Sequence, residues 1–386
     1  MEATLNQKQQ TEVADVLRTC QSQIEKTYNL CHTQQKALDA LIRCRTKDAG
    51  GHINQCNACG HTEQSYNSCR NRHCPKCQFI KQEKWVDKLQ SRLMPGRYFH
   101  VVFTIPNSLH QLFYSNQAIC YDLLFKSAWL ALKNAGNNPK FLGAEVGAVA
   151  VLHTWGQTLT YHPHIHMLVP GGGLSEDGME WIEAPKKFFV PVKALSSMFR
   201  GILMKQLKVL LSNNQLKVPD GYNGFEPLKK QLYENRWNVY CKKALGGMTS
   251  VLKYLGRYTH RVAISNSRIA SIENEKVSFR YKDYRQGRYQ KKTMQLSTLE
   301  FSRRFLQHIL PQGYYKIRYM GILATANIYT KREQAIALIG KAIWLAQFEG
   351  LSTYEVLREL IRKDPARCSA CNKGFMKRKR TLIQRE

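Results

Sequence analysis

Two histidines on a segment that reads as a β-strand are the first residues whose spacing suggests chemistry. His164 and His166 lie in the run 161–169, and side chains two apart on a strand point to the same face. Two imidazoles on one face can bind a divalent cation. His162 shares their parity. By itself the pair fits an ordinary surface histidine pair equally well.

A tyrosine pair, Tyr254 and Tyr258, is the second element that could carry chemistry. On a helix, residues at i and i+4 share a face. A phenol with its ordinary pKa near 10 is a poor nucleophile. A metal held by histidines can polarise a phosphodiester, so that a tyrosine attacks it and keeps the strand end as a phosphotyrosine. Lys253, Arg257 and Arg261 could clamp the phosphate. The chain has 19 tyrosines, so a packed core pair is the competing interpretation.

Two C-x-x-C knuckles indicate a structural metal site. They are Cys56–Cys59 and Cys74–Cys77, in a chain with 12 cysteines. Each knuckle brings two thiolates together, and two knuckles complete a tetrahedral four-sulfur Zn²⁺ site with no open position for water. The sequence therefore predicts that these four cysteines share one structural zinc ion.

Further potential ligands lie close to the knuckles. Cys44, Cys69 and His73 are the candidate ligands of a second zinc site. Near the other end of the chain, Cys368 and Cys371 form a third knuckle that has no obvious second pair. That knuckle by itself supplies two of the four ligands that a structural zinc site needs.

The charge of the chain points to a polyanionic partner. Lys and Arg number 58 against 28 Asp and Glu, a formal net charge of +30, and nucleic acid is the usual partner of such an excess. Arg70 and Arg72 beside the knuckles, with Lys282 and Arg285 further on, are predicted DNA contacts. The polar start and the lack of a long apolar run predict a cytoplasmic, nucleoid-associated bacterial protein without a membrane segment.

The hydrophobic patterns predict a mixed order of helices and strands. Predicted helices cover residues 7–43, 81–94, 109–133, 195–211, 228–240, 248–260, 301–310 and 333–348. Predicted strands cover residues 98–105, 144–154, 159–169, 277–284 and 290–296, with a hairpin turn at 155–158. Three regions follow. They are N-terminal helices with a zinc-binding domain (1–95), a catalytic core (96–265) with a helical insertion at about 186–245, and a basic C-terminal region (266–386).

Several motifs in one order resemble the rolling-circle transposases of the insertion-sequence-ninety-one family, members of the HUH endonuclease superfamily. The resemblance spans about residues 41–321. The segments that carry it are 68–78 (SCRNRHCPKCQ), 100–106 (HVVFTIP), 161–166 (YHPHIH), 254–261 (YLGRYTHR), 281–285 (YKDYR), 300–305 (EFSRRF) and 308–311 (HILP).

The resemblance implies an α+β fold, a ferredoxin-like or RNA-recognition-motif-like antiparallel sheet with the His164–His166 strand at its centre and a zinc-binding domain before it. It also implies a nickase that holds a 5′-phosphotyrosine on Tyr254 or Tyr258. Such an enzyme uses Mg²⁺ or Mn²⁺ and rejoins single-stranded or hairpin element ends to target DNA. The resemblance also implies a third metal ligand beside His164 and His166, for which His162 and Gln157 are the candidates. The absence of an ATPase loop suggests that a host helicase unwinds the DNA. A plasmid or phage replication initiator and a zinc-dependent DNA-binding regulator without catalytic activity are the alternatives.

Overall fold

An antiparallel sheet of five described strands forms the centre of the molecule. The structure is a computed structural model that describes residues 11–235, 237–243, 262–284 and 289–382. The strands are β1 Gly51–Cys56, β2 Thr62–Tyr66, β3 Tyr98–Thr104, β4 Gly147–Trp155, β5 Tyr161–Pro170, β6 Gly172–Leu174, β7 Trp181–Glu183, β8 Asn238–Lys243, β9 Ile269–Glu273, β10 Lys276–Asp283, β11 Gln290–Ser297, β12 Ile317–Gly321 and β13 Met376–Leu382. The helices are α1 Val13–Thr19, α2 Gln21–Thr27, α3 His32–Arg43, α4 Phe79–Arg92, α5 His110–Ser115, α6 Gln117–Asn137, α7 Val192–Ser212, α8 Phe225–Glu234, α9 Thr298–Leu306, α10 Lys331–Ile339 and α11 Thr353–Ile361.

The central sheet has the strand order β12-β4-β5-β3-β8. Strand β5, which carries the histidine motif, is therefore in the middle, with β4 and β3 antiparallel on either side. The predicted α+β class with an antiparallel sheet is confirmed, and so is the central position of the histidine strand.

The two faces of this sheet have different roles because side chains alternate along each strand. Phe103, Ile165 and Met167 point to one face and belong to the main hydrophobic core, to which α6 and α7 contribute. His164 and His166 point to the opposite face. Their orientation follows from the alternation, since burying the apolar residues of β5 under the helices sets the histidines on the other side.

The three N-terminal helices pack against elements from the second half of the chain. Leu17 of α1 and Leu38 of α3 share a core with Phe279 of β10 and Phe301 of α9. These four side chains are fully buried. The N-terminal helices and the sheet β11-β10-β9 therefore form one packed unit.

Segments after residue 265 also complete two other sheets. Strand β12 is an edge strand of the central sheet, and β13 pairs with β1 in the sheet β13-β1-β2. Strand pairing therefore joins the predicted C-terminal region to both regions that precede it. Local hydrophobic patterns cannot show such pairings, because they say nothing about contacts between distant segments.

Two predicted helices are shorter in the structure. The helix predicted at 228–240 ends at Glu234, and β8 follows it as an edge strand whose residues Val239 and Cys241 pack against the core. The helix predicted at 333–348 ends at Ile339, where Gly340 takes a left-handed backbone conformation with φ +64. The helix predicted at 248–260 lies outside the described residues. Within the described chain, no helix has the length and apolar character to span a bilayer.

Candidate functional site

Three imidazoles converge on the face of the central sheet opposite α6 and α7. His153 of β4 pairs directly with His164 of β5, and His166 follows two residues later on the same face. One ring nitrogen from each lies within 4.8 Å of the others. His153 and His166 are 2% and 7% exposed. Three nitrogen donors this close together can bind one divalent cation.

The ring of His164 is held in a defined orientation. Its Nδ1 lies 2.6 Å from the carbonyl oxygen of His162. A carbonyl oxygen only accepts, so Nδ1–H is the donor and Nε2 keeps its lone pair. Burial lowers the pKa of His164 to about 3. The ring is therefore neutral near pH 7, which is the form that binds a metal ion.

A fourth histidine, His100 of β3, supports the group from the neighbouring strand. Its Nε2 lies 2.8 Å from Nδ1 of His166, and its side chain is buried. Burial, with a smaller effect of Lys242, lowers the pKa of His100 to about 4. The sequence did not indicate a role for His100. Because side chains alternate along a strand, its position in the predicted strand 98–105 assigned it only to one face of the sheet.

The third ligand is the point at which the sequence prediction and the structure differ. The three donor nitrogens that lie within 4.8 Å of one another belong to His153, His164 and His166, and neither His162 nor Gln157 is in this group. Gln157 accepts from the backbone N–H of Lys282 through its side-chain oxygen, at 3.4 Å. The ring of His162 lies edge-on against His110, 5.6 Å between centroids.

The first cysteine cluster joins the end of α3 to the start of α4. It consists of Cys44, Cys69, Cys74 and Cys77. Sulfur–sulfur distances are 3.5 Å for Cys44–Cys77 and 3.7 Å for both Cys69–Cys77 and Cys44–Cys74. A tetrahedral zinc ion with Zn–S bonds of about 2.3 Å separates its sulfurs by roughly 3.8 Å. The cluster therefore has the dimensions of a four-sulfur zinc site.

The second cluster contains Cys56, Cys59, Cys368 and Cys371. The prediction that Cys56 and Cys59 share an ion with the 74–77 knuckle is therefore wrong. Each of those knuckles belongs to a different group of four sulfurs. The C-terminal knuckle does have a second pair, which lies more than 300 residues earlier in the chain.

His73 does not join either cluster. Its Nε2 accepts a hydrogen bond from the backbone N–H of Leu310 at 3.4 Å, and burial lowers its pKa to about 3. In the predicted second site of Cys44, Cys69 and His73, the histidine is thus replaced by Cys74 and Cys77. A backbone partner 237 residues away gives no signal in the local sequence.

The described cations predicted to contact DNA differ in their surroundings. Arg70 and Lys282 are exposed, and the ammonium of Lys282 lies 4.5 Å from the centroid of the Tyr289 ring. Arg72 is half-buried and donates to the backbone oxygen of Tyr314 at 2.7 Å. Arg72 therefore supports the fold, while Arg70 and Lys282 stay available to a phosphate.

The tyrosine pair of the predicted catalytic constellation is not among the residues that the structure describes. Six of the predicted residues lie outside the described residues: Lys253, Tyr254, Arg257, Tyr258, Arg261 and Arg285.

Comparison with known proteins gives a consistent result. A family model described as "Putative transposase" matches residues 147–331, and one described as "Transposase zinc-binding domain" matches residues 16–105. The chain is 40% identical over 381 residues to "Putative transposase y4qJ" of Sinorhizobium fredii (strain NBRC 101917 / NGR234), covering 95% of this chain and 94% of the relative. It is 29% identical over 320 residues to "Transposase for insertion sequence element IS801" of Pseudomonas savastanoi pv. phaseolicola, covering 79% and 74%. No solved structure matches it.

The sheet, the cysteine clusters and these relatives define a DNA transposase with a zinc-binding domain. The chain belongs to the IS91 (insertion-sequence-ninety-one) family of transposases, as the sequence motifs predicted. Membership of this family makes it a DNA-binding enzyme that cleaves DNA and transfers strands.

Proposed function

We propose that this transposase nicks and rejoins single-stranded DNA at element ends through a 5′-phosphotyrosine, as in rolling-circle transposition. The observation that carries the proposal is the convergence of His153, His164 and His166 within 4.8 Å on one face of the central sheet. A zinc-dependent DNA-binding regulator has no need for three converging imidazoles that belong to neither cysteine cluster.

The histidine group fits a divalent cation. The neutral state of His164 and the fixed orientation of its ring leave Nε2 as a donor. Mg²⁺ or Mn²⁺ held there would polarise the scissile phosphate and stabilise the charge that develops on it. Imidazole donors favour Mn²⁺ of the two, since Mg²⁺ prefers oxygen ligands.

The proposed nucleophile is the phenolic oxygen of Tyr254 or Tyr258, both outside the described residues. The phenol loses its proton and its oxygen bonds to phosphorus, while the bond from phosphorus to the 3′ oxygen breaks. The released 3′ oxygen takes up a proton. The protein then carries the 5′-phosphate as a phosphotyrosine. One phosphoester replaces another, so the strand can be rejoined without ATP when a 3′-OH attacks the phosphotyrosine.

Exposed cations would hold the DNA. Arg70 beside the first cysteine cluster and Lys282 on β10 are described and exposed, and each can pair with a phosphate. Their contribution would be independent of sequence and would weaken as salt rises.

The test is covalent capture of a labelled single-stranded oligonucleotide from an element end, with Mn²⁺, with Mg²⁺ and with EDTA. We expect a metal-dependent protein–DNA adduct that mass spectrometry maps to Tyr254 or Tyr258. Tyr254→Phe or Tyr258→Phe should abolish the adduct and leave DNA binding nearly unchanged. Tyr315→Phe is the matched control, because Tyr315 is 80% exposed. Salt-sensitive binding of a proven native end without any adduct would refute the proposal.

A further inference from the structure

The second cysteine cluster has the geometry of a complete metal site made from the two ends of the chain. Cys56 lies 3.8 Å from Cys371, and Cys59 lies 3.8 Å from Cys368, sulfur to sulfur. All four sulfurs lie within 4.8 Å of one another. The roughly 3.8 Å edge of a ZnS₄ tetrahedron matches both cross-distances.

Backbone N–H groups point at the sulfurs, as is typical of metal-binding knuckles. The N–H of Ala58 donates to Cys56 at 3.4 Å. Those of Lys373 and Gly374 donate to Cys371, also at 3.4 Å. Such donors stabilise a thiolate over a thiol, and the thiolate is the form that binds a metal ion.

Independent contacts bring the two knuckles together. Strand β13 pairs with β1 from Gly51 opposite Leu382 to Cys56 opposite Met376. The side-chain oxygen of Asn57 accepts from the N–H of Phe375 at 2.7 Å, and the oxygen of Phe375 accepts from the N–H of Asn57 at 3.1 Å. The four sulfurs therefore meet because the backbone register places them together, and the cluster does not depend on one side-chain rotamer.

We infer that Cys56, Cys59, Cys368 and Cys371 bind a second structural Zn²⁺ ion that ties the C-terminal segment to the zinc-binding domain. Two of its ligands lie outside residues 16–105, the segment that matches the zinc-binding family model. Four thiolates around one position leave no open coordination site, so the ion would be structural rather than catalytic. The inference does not rest on the proposed strand-transfer chemistry.

The ion would fix a basic strand in place. Strand β13 carries four consecutive cations, Lys377, Arg378, Lys379 and Arg380, all exposed. None of the four forms an ion pair with another described residue. Four unpaired cations on an edge strand form a surface for the phosphate backbone of DNA. Without the ion, this strand is held by its pairing with β1 and by the contacts around Asn57.

Metal content is the first measurement. The purified full chain should contain two zinc ions in the cysteine clusters, measured by elemental analysis in protein freed of loosely bound metal. The double variant Cys368→Ser/Cys371→Ser should retain one ion. Cys31→Ser should retain two, because Cys31 is exposed and belongs to neither cluster. An unchanged zinc content in the double variant overturns the inference.

A measurement on the unmodified chain tests the same inference without depending on how the variant folds. Metal-stripped protein is titrated with Co²⁺, and the absorbance of cobalt bound to four thiolates is followed. Saturation at two equivalents per chain is expected. Saturation at one equivalent, or oxidation of Cys56, Cys59, Cys368 and Cys371 to disulfides in protein purified anaerobically, overturns the inference.

Salt-dependent DNA binding tests the consequence for β13. Replacing Lys377, Arg378, Lys379 and Arg380 by Gln should reduce the slope of log K against log salt by up to about 3 for a single-stranded oligonucleotide. Cys368→Ser/Cys371→Ser should produce a similar reduction if the ion fixes the strand. A slope reduced by the Gln substitutions and unchanged by the Ser substitutions would show that the ion does not position β13.

Discussion

The imidazole of His100 lies against that of His166, with Nε2 of the first 2.8 Å from Nδ1 of the second and the rings 11° from parallel. One nitrogen of the pair must donate and the other accept. If Nδ1–H of His166 donates, Nε2 of His166 keeps the lone pair that a metal needs. His100 then accepts through Nε2, which its low pKa permits because burial keeps the ring neutral. Metal binding through Nε2 of His166 therefore requires the arrangement in which Nδ1–H of His166 donates and Nε2 of His100 accepts.

The first prediction concerns this positioning role. His100→Ala should weaken metal binding at the histidine site about 10- to 100-fold, as the loss of a partner that orients a ligand typically does. The measurement is the Mn²⁺ concentration needed for half-maximal DNA nicking, together with direct Mn²⁺ binding. The nicking rate at saturating Mn²⁺ should change much less.

Two variants separate positioning from simple loss of packing at His100. His100→Gln retains an acceptor oxygen and should recover part of the Mn²⁺ affinity. His32→Ala removes an exposed histidine at the start of α3 and should have no effect. Equal Mn²⁺ dependence in His100→Ala and the unmodified protein would contradict the assignment.

The second prediction distinguishes His153 from His162. His153→Ala removes a proposed metal donor, and losing the several kcal/mol of charge stabilisation that the ion supplies should slow nicking by about 100-fold or more. His162→Ala should slow nicking less, because its ring lies outside the group of three. The zinc content should stay constant in both. A larger loss for His162→Ala would return His162 to the position of third ligand.

The register of the β4–β5 hairpin explains why His153 was not predicted. A hairpin closed directly by residues 155–158 would pair His153 with Thr160. The structure instead pairs His153 with His164 and has a bulge before Trp155, which pairs with Tyr161. An irregularity of this kind shifts every cross-strand pair. The period of the hydrophobic pattern gives the two strands and the shared face of His164 and His166, but it does not determine which residues are opposite each other.

The cysteine pairing was unpredictable for a related reason. Spacing identifies a knuckle, because two cysteines separated by two residues converge locally. Which knuckles share an ion depends on contacts between distant segments. Here Cys44, directly after α3, belongs to one cluster, and the pairing of β13 with β1 brings the C-terminal knuckle to the other. The zinc-binding character of the region was therefore predictable, whereas the ligand sets required the fold.

The third prediction concerns stability in acid. His308 is buried, with Nε2 donating to the oxygen of Leu159 at 3.1 Å and Nδ1 facing the hydroxyl of Thr154 at 3.2 Å. Burial lowers its pKa from 6.5 to about 4. In the unfolded chain this histidine binds a proton below about pH 6.5, whereas in the folded chain it stays neutral until the pH approaches 4. Protonation of the unfolded chain therefore lowers the free energy of unfolding as the pH falls from 6.5 towards 4, by about 3 kcal/mol in total.

His308→Gln isolates this contribution from those of the other buried histidines. Glutamine can still donate to Leu159 and accept from Thr154, and it does not titrate. Between about pH 7 and pH 4, the free energy of unfolding should fall by about 3 kcal/mol less in the variant than in the unmodified chain. Denaturant unfolding at several pH values measures this difference. Parallel pH profiles for the two proteins would show that His308 is not buried as a neutral ring.

The fourth prediction concerns the packing around the C-terminal knuckle. A Cβ added at Gly374 would lie 2.4 Å from the sulfur of Cys56 and 2.7 Å from Cβ of Ala58. Gly374→Ala must therefore displace a ligand of the second cluster, and overpacking of this kind costs about 1–3 kcal/mol. Zinc should leave that cluster for a chelator roughly 10- to 100-fold faster.

The control is Gly201→Ala in α7, where an added Cβ meets no atom within 4 Å. That change should leave zinc release unaltered and raise stability by about 0.5–1 kcal/mol, since alanine favours the helix. If both variants release zinc at the rate of the unmodified chain, Gly374 does not pack against a zinc-binding Cys56.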